Sequence, residues 1–362
     1  MIAPTRSGLV PKPLRIRVVE ALARQRGLAD LGVAVLVPAA AAMFALVLED
    51  AFPVGANPQT FSGARWAFLS VVLGLLAAAV FYRRWVYHGT GTLFSLSFLD
   101  ETMNDYHVQA QADAERRHMG VQLIGHRVDV LAREHDGVVD VVLPRQDLSR
   151  TVESAMNQDR EDTGYAVAPN LLWPAALAVG ASLTRTDKMR FLDYDKETKE
   201  TTVFRLRDKA PERVAVRTEP DHLVATPTGE RRGVLLAFTP AATQLDIDRR
   251  CAEFGISDLV LLGPHSQVQD GRLSGPEMGR LADDLAGHLA DIKRTAGNRE
   301  LVVVAFLPKT VTLLTGWYLS RQQVRFFAGT HLMHYVQPED RFVALRVHPS
   351  QPTAFPVPRS GV

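Results

Sequence analysis

Arg145 and Lys309 each stand close to the point where a short apolar run gives way to a turn, and Trp173 and Tyr194 stand at similar junctions. A guanidinium and an ammonium at such points can hold phosphate oxygens. An indole or phenol ring there can stack on a base, worth roughly 1–3 kcal/mol per stack. At the ends of the same or other apolar runs the chain places Gln146, Asn170, Thr239, Thr243, His265, Ser266 and Thr310. Together these eleven residues are the candidate ligand-binding set. Asp193-Tyr194-Asp195 offers a different chemistry, because two carboxylates at a strand end can hold a divalent cation and, through it, a sugar nucleotide. Other reaction types leave no trace: GxxxxGK[ST], HExxH and GxSxG do not occur. Gly89-Thr90-Gly91 lacks the remainder of a dinucleotide fingerprint. Cys251 is the single cysteine, so neither a disulfide nor a cysteine zinc cluster can form within one chain. The expectation is a binding protein with no catalytic group, no metal and no cofactor.

These residues need a frame to hold them. Apolar runs at 138–143, 165–168, 189–192, 234–238, 259–262, 301–306 and 324–327 read as strands. Helical stretches at 146–157, 173–183, 243–254, 276–294 and 309–319 lie between them. Continuous apolar runs with connectors of that length are buried parallel strands and crossover helices. The soluble part is therefore expected to be α/β and doubly wound. In such sheets ligands bind outside the carboxyl ends of the strands, where helix starts present free N–H groups.

The sequence also repeats. With Gly180 set against Gly316, YAVAPNLLWPAALAVGASL (165–183) and MRF (189–191) lie on LVVVAFLPKTVTLLTGWYL (301–319) and VRF (324–326), after deletion of one residue. Each copy has a strand end, a Pro opening a helix, a Gly late in that helix, and a next strand carrying Arg-Phe. The expectation is two related units, 121–225 and 226–362, joined by a segment that includes the strand ETTVFRLR (200–207). Two such units about a pseudo-twofold axis turn their strand ends toward one cleft. A fitting ligand is itself pseudo-symmetric, polar and anionic, and a cyclic oligonucleotide meets that description.

Two further segments have no polar face at all. LGVAVLVPAAAAMFALVL (31–48) and WAFLSVVLGLLAAAVFY (66–82) are uncharged. As helices they span roughly 25–27 Å against a hydrocarbon core of about 30 Å. Trp66, Tyr82, Trp85 and Tyr87 fit an interfacial aromatic belt. Residues 31–86 thus read as a two-helix transmembrane hairpin (about 31–50 and 65–84). A basic N-terminus, 1–30, precedes it, and a juxtamembrane connector with a stalk helix, 87–120, follows. Arg6, Lys12, Arg15, Arg17, Arg24 and Arg26 lie before the first span, Arg83 and Arg84 follow the second, and only Arg65 lies between. The positive-inside rule then puts both termini in the cytoplasm. Ala41 with Ala45, and Gly74 with Ala78, offer faces for close helix approach. The 41 basic and 40 acidic residues nearly cancel, which argues against duplex nucleic acid as a partner.

The second repeat with its VRFF, the preceding helix GRLADDLAGHLADIKRTAGNRE (279–300) and the strand GVLLAFTPAA (233–242) resemble the SAVED (SMODS-associated and fused to various effectors) domains of bacterial antiphage defence. The resemblance covers about residues 135–347 and is strongest over 276–327. It implies two tandem CARF-like Rossmannoid units with parallel sheets that recognise a cyclic di- or trinucleotide made within a CBASS system. Some effectors there place two transmembrane helices before the SAVED domain, which is the order found here. The resemblance then implies a ligand-induced homo-oligomer that damages the lipid bilayer of the bacterial inner membrane, giving abortive infection. Lys309 directly after Pro308 departs from the small residues more usual at that place and leaves the ligand's identity open. The alternative is a membrane-linked glycosyltransferase with Asp193 and Asp195 as its DxD metal site, in which the second repeat has no role.

Overall fold

The structure, a computed structural model, describes residues 12–51, 63–89, 91–101, 103, 105, 107–117, 119–130, 132–159, 165–184, 189–194, 201–206, 216–218, 222–223, 230–239, 242, 245–264, 273–336 and 339–355. The chain forms two units, and Gly91 and Thr92 fall on either side of their main division.

In the first unit, α1 (Lys12–Ala51) and α2 (Gly63–Gly89) pack against each other as a hairpin. Gly27–Glu49 and Gly63–Val86 are long and apolar enough to cross a bilayer. Val35, Phe44, Phe68 and Phe81 are each more than half exposed, an arrangement suited to lipid rather than water. Asp30 and Arg83 tie the two helices together at one end with an ion pair of 2.9 Å. The helices come close at Gly32, where a Cβ would lie 3.9 Å from the Cβ of Ala79. Gly74, expected on a contact face, has open space where its Cβ would be.

The elements of the second unit run β1 (Thr92–Asp100), α3 (His107–Arg116), β2 (Gly120–Val128), β3 (Glu134–His135), β4 (Val138–Asp140), α4 (Val142–Gln158), β5 (Tyr165–Leu171), α5 (Trp173–Ser182), β6 (Met189–Tyr194) and β7 (Thr201–Arg205). They continue with β8 (Val216–Thr218), β9 (His222–Leu223), β10 (Arg231–Ala237), α6 (Ile247–Phe254), β11 (Ile256–Pro264), α7 (Gly275–Thr295), β12 (Leu301–Phe306), α8 (Lys309–Ser320), β13 (Thr330–Val336) and β14 (Arg341–Arg346).

One sheet has the order β2-β1-β5-β6-β7, and the core of the other has the order β11-β10-β12-β13-β14. In the first, β1, β5 and β6 are parallel and β7 is antiparallel. In the second, β11, β10, β12 and β13 are parallel and β14 is antiparallel. The two sheets share one plan, as the repeat led one to expect. The second is longer because β8 and β9 pair with β11 while β4 and β3 extend the sheet beyond β14.

Three sequence assignments change. Thr92–Asp100, inside the stretch read as connector, is a strand hydrogen-bonded to β5, and α3 links it to β2. Its serines hid it: Ser95 and Ser97 are buried, so the whole strand is interior although its pattern reads as half polar. The run at 138–143 splits after three strand residues, pairs with β14 of the other sheet, and turns into α4. The run at 324–327 is no strand. Gln323 and Gly329 have left-handed φ of 53° and 63°, so the chain turns on both sides of it. The counterpart of β6 is β13, since Tyr165 faces Met189 where Leu301 faces Thr330. The Arg-Phe match between the copies is therefore coincidental.

α5 and α8 pack on each other, α8 against β5 and β6, and α5 against β13. Each helix thus reaches the sheet of the opposite half, and one apolar core serves both. The crossing is reciprocal. A Cβ on Gly180 would lie 1.8 Å from the carbonyl oxygen of Leu313, and one on Gly316 would lie 1.9 Å from that of Leu177. Leu177 stands to Gly180 as Leu313 stands to Gly316, so the contact has twofold character. Along β12, Leu301, Val303 and Ala305 join this core while Val302 and Val304 face a second cluster with Cys251 and Phe254 of α6. A parallel strand covered on both faces is the expected result.

Candidate ligand site at the helix starts

The reciprocal crossing sets the starts of α5 and α8 at corresponding places. Their N-caps share one backbone conformation, Leu172 at φ −56°, ψ 137° and Pro308 at φ −56°, ψ 140°. Neither helix has a side-chain cap bond or an acidic residue in its first turn. Both starts therefore present uncapped backbone N–H groups and the positive end of a helix dipole.

The first residue of each helix crosses to the other half. Lys309 Nζ donates to Asn170 Oδ1 at the end of β5. Trp173 Nε1 donates to the Met333 carbonyl of β13 at 3.1 Å. Beside Lys309, the Thr310 hydroxyl donates to Asp193 Oδ1 of β6 at 2.6 Å. Asn170 Nδ2 in turn reaches Asp105 Oδ1 at 3.4 Å, and Arg127 lies 3.8 Å from the same carboxylate. Arg127 also donates to the carbonyls of Glu101 and Met103, which fixes the loop after β1. His334 of β13 is buried here. Burial pushes its imidazole down to about 4, against a smaller upward pull from Asp100. It is neutral at neutral pH and adds no charge to the site.

The chain is similar to SAVED/CARF receptors. Two solved structures of an Acinetobacter baumannii Cap4 SAVED/CARF-domain receptor match it, one with the cyclic trinucleotide 2'3'3'-cAAA at 8% identity and TM-score 0.45. The other, with 3'3'3'-cAAA, matches at 10% identity and TM-score 0.44. A third structure of that receptor matches at 9% identity and TM-score 0.41, covering 82% of this chain and 62% of the other. The first two matches cover 82% of this chain and 63% of the receptor, so the chain spans less than two thirds of the proteins it matches. No family model and no curated protein matches the sequence. The strand order given above shows the fold, α/β with two largely parallel sheets.

Of the eleven candidate residues, Asn170, Trp173, Lys309 and Thr310 come together at the helix starts. Tyr194 ends β6 next to Asp193, and Thr239 follows the carboxyl end of β10, both half-buried. Thr243, His265 and Ser266 lie outside the described residues. Arg145 and Gln146 do not join the group. They line a cleft with Ser182 and Leu319, at the far ends of α5 and α8. Lys309 to Leu319 is ten residues along one helix, about 15 Å. Both follow β4, which belongs to the second sheet and not to the first as the sequence suggests, and this sets them apart from the helix starts.

Asp105 and Arg127 were missed. Their signal was Thr92–Asp100 itself, an alternating strand ending in an acidic residue before a polar loop. For the metal alternative, Asp193 is engaged by Thr310 and Asp195 lies outside the described residues. Among the described residues no group of three or more His, Cys, Asp or Glu could hold a metal ion.

Proposed function

We propose that the chain is a membrane-anchored receptor for a cyclic oligonucleotide and acts without catalysis of its own. One observation carries the reading: the reciprocal α5–α8 crossing, which brings two uncapped helix starts with Lys309, Thr310, Trp173 and Asn170 into one pseudo-symmetric place. An anion with repeated phosphates suits such a place, because each helix start and Lys309 can take a phosphate oxygen. Trp173 and Tyr194 supply rings for base stacking. The sequence resemblance to SAVED domains supports a cyclic di- or trinucleotide. Arg145 and Gln146, a helix length away, are left out of this site.

On binding, Lys309 exchanges Asn170 for phosphate, and the ligand favours the arrangement of the two halves that it fits best. Neighbouring domains then stack as homo-oligomers, gather their two-helix anchors and breach the bacterial inner membrane, giving abortive infection. The basic flanks of the spans support cytoplasmic termini.

The test is a binding screen of the full chain in liposomes against cyclic di- and trinucleotides, with oligomer mass and dye leakage read together. One ligand should bind and raise both. Lys309→Met should weaken it by about 10–100-fold, the worth of one charge-assisted hydrogen bond at roughly 1.5–3 kcal/mol. Absence of binding across the screen sinks the receptor reading. Binding that Lys309→Met leaves intact sinks only the placement.

A further inference from the structure

The cleft at the far ends of α5 and α8 has a volume of about 750 Å³, within the range of small-molecule sites. Its walls include Arg145 and Gln146 of α4, Ser182 of α5, Ser320 of α8, and Phe327 with His348. Arg145 is the unusual member. The residue is 6% exposed, yet it lines the open cleft. Its Nε donates to the Val347 carbonyl at 2.9 Å. Among the described residues that is its only side-chain hydrogen bond, and no described carboxylate pairs with it. Burial alone acts on its proton affinity, pushing it down.

A buried guanidinium without a counter-charge is unfavourable, and buried charges are ordinarily paired. The bond to Val347 fixes the plane of the group and leaves both terminal nitrogens available as a fork. That fork matches the two oxygens of a carboxylate or phosphate. The surrounding charges agree. His348 is held down by burial first, then by Arg145 and Arg346, so a cationic field reaches it. Arg346 itself is paired with Asp140. Arg325 also lines the cleft and is exposed. The carbonyl ends of α5 and α8 point the same way and offset part of this field, but among the described residues no carbonyl of either helix accepts a hydrogen bond from the Arg145 side chain. Phe327 stacks on His348 at 4.8 Å, and with Val324 and Leu319 it gives the cleft an apolar wall.

We infer that this cleft binds a small organic oxyanion with an apolar or aromatic body, held by the Arg145 fork and separate from the site at the helix starts. The inference does not depend on the receptor reading.

The probes are phenyl phosphate and benzoate, with benzyl alcohol as the neutral control. Each is titrated by calorimetry into the full chain in detergent micelles, with empty micelles as the blank. At least one anion should bind saturably while benzyl alcohol does not, and the tighter of the two tells phosphate from carboxylate. Arg145→Met should weaken binding roughly 10-fold or more, the size of a lost charge-assisted bond. Ala181→Trp, which fills the cleft and leaves Arg145 in place, should do the same and serves if Arg145→Met does not fold. Gly287→Ala, at a position whose Cβ would meet nothing within 4 Å, should leave anion binding unchanged. The inference is overturned if neither anion saturates, or if a folded Arg145→Met or Ala181→Trp chain binds like the parent.

Discussion

Replacing Gly180 with alanine puts a methyl carbon 1.8 Å from the Leu313 carbonyl oxygen, and Gly316→Ala puts one 1.9 Å from that of Leu177. A carbon and an oxygen rest no closer than about 3.3 Å, so α5 and α8 must part by more than about 1 Å. A gap of that size forfeits about a quarter to a half of each dispersion contact along the crossing. Overpacking of this kind costs about 1–3 kcal/mol and sometimes more. Helix propensity acts the other way, because alanine gains about 1 kcal/mol over glycine inside a helix. The backbone clash puts the steric cost at or above the top of its range, so each substitution should destabilise by about 2 kcal/mol net. Melting should fall by roughly 4–8 °C. Gly287→Ala in α7 is the control, since nothing lies within 4 Å of its Cβ position. It should raise stability by about 0.5–1 kcal/mol. Both clashes act at one crossing, so separation that relieves the first relieves part of the second. The double variant should therefore cost less than the sum by about 1 kcal/mol. Thermal unfolding followed by tryptophan fluorescence suits the purpose, with Trp173 and Trp317 both in or against the core. A rise in stability for either single variant, or strict additivity in the double, would refute the reciprocal crossing.

The remaining expectations concern single groups. Burial keeps His334 neutral down to about pH 4, whereas in the unfolded chain it protonates near pH 6.5. Its folded value is the lower one, so its contribution is complete above about pH 6.5 and is lost as pH falls toward 4. The loss is at most roughly 3 kcal/mol. His334→Gln should flatten the melting temperature against pH over that window, and an unchanged slope would contradict the assignment. The Cys251 thiol is buried and pushed up to about 11, by burial first and by Asp248 second. Iodoacetamide at pH 8 should label it only as fast as the domain opens; labelling at the rate of free cysteine would show the thiol exposed. Thr310→Val removes the hydroxyl that donates to Asp193 and leaves that half-buried carboxylate with one donor fewer, which should cost about 0.5–1.5 kcal/mol. A melting temperature equal to the parent's would show that Asp193 is satisfied without it.

Gly180 and Gly316 were legible in the sequence because the close approach of two helices demands the same residue at the same place in both copies. The helix starts were legible for a related reason: a Pro at the end of an apolar run marks the turn that ends the strand. The interior position of β1 was not legible, because Ser95 and Ser97 are buried while looking like the exposed half of an alternating pattern. The turn around 324–327 is not legible, because its apolar residues suit a buried strand equally well, and Phe326 reaches the core from a turn. Arg145 went to the wrong place since nothing local says that Val138–Asp140 pairs with β14, some two hundred residues away. Local pattern reports an element's type far better than its partner.

That annexed hairpin has a consequence of its own. Arg341 grips Glu134 with two bonds of 2.9 and 2.6 Å, and Arg346 grips Asp140, so a piece of the N-terminal half is stitched into the border of the C-terminal sheet. A ribbon border left bare invites other chains to add to it, and here the molecule seals its own. Severing the peptide between Arg205 and Val216 should consequently leave two fragments that stay associated through interlocked strands and a common interior. Either fragment made alone would carry an unfinished margin and tend to aggregate.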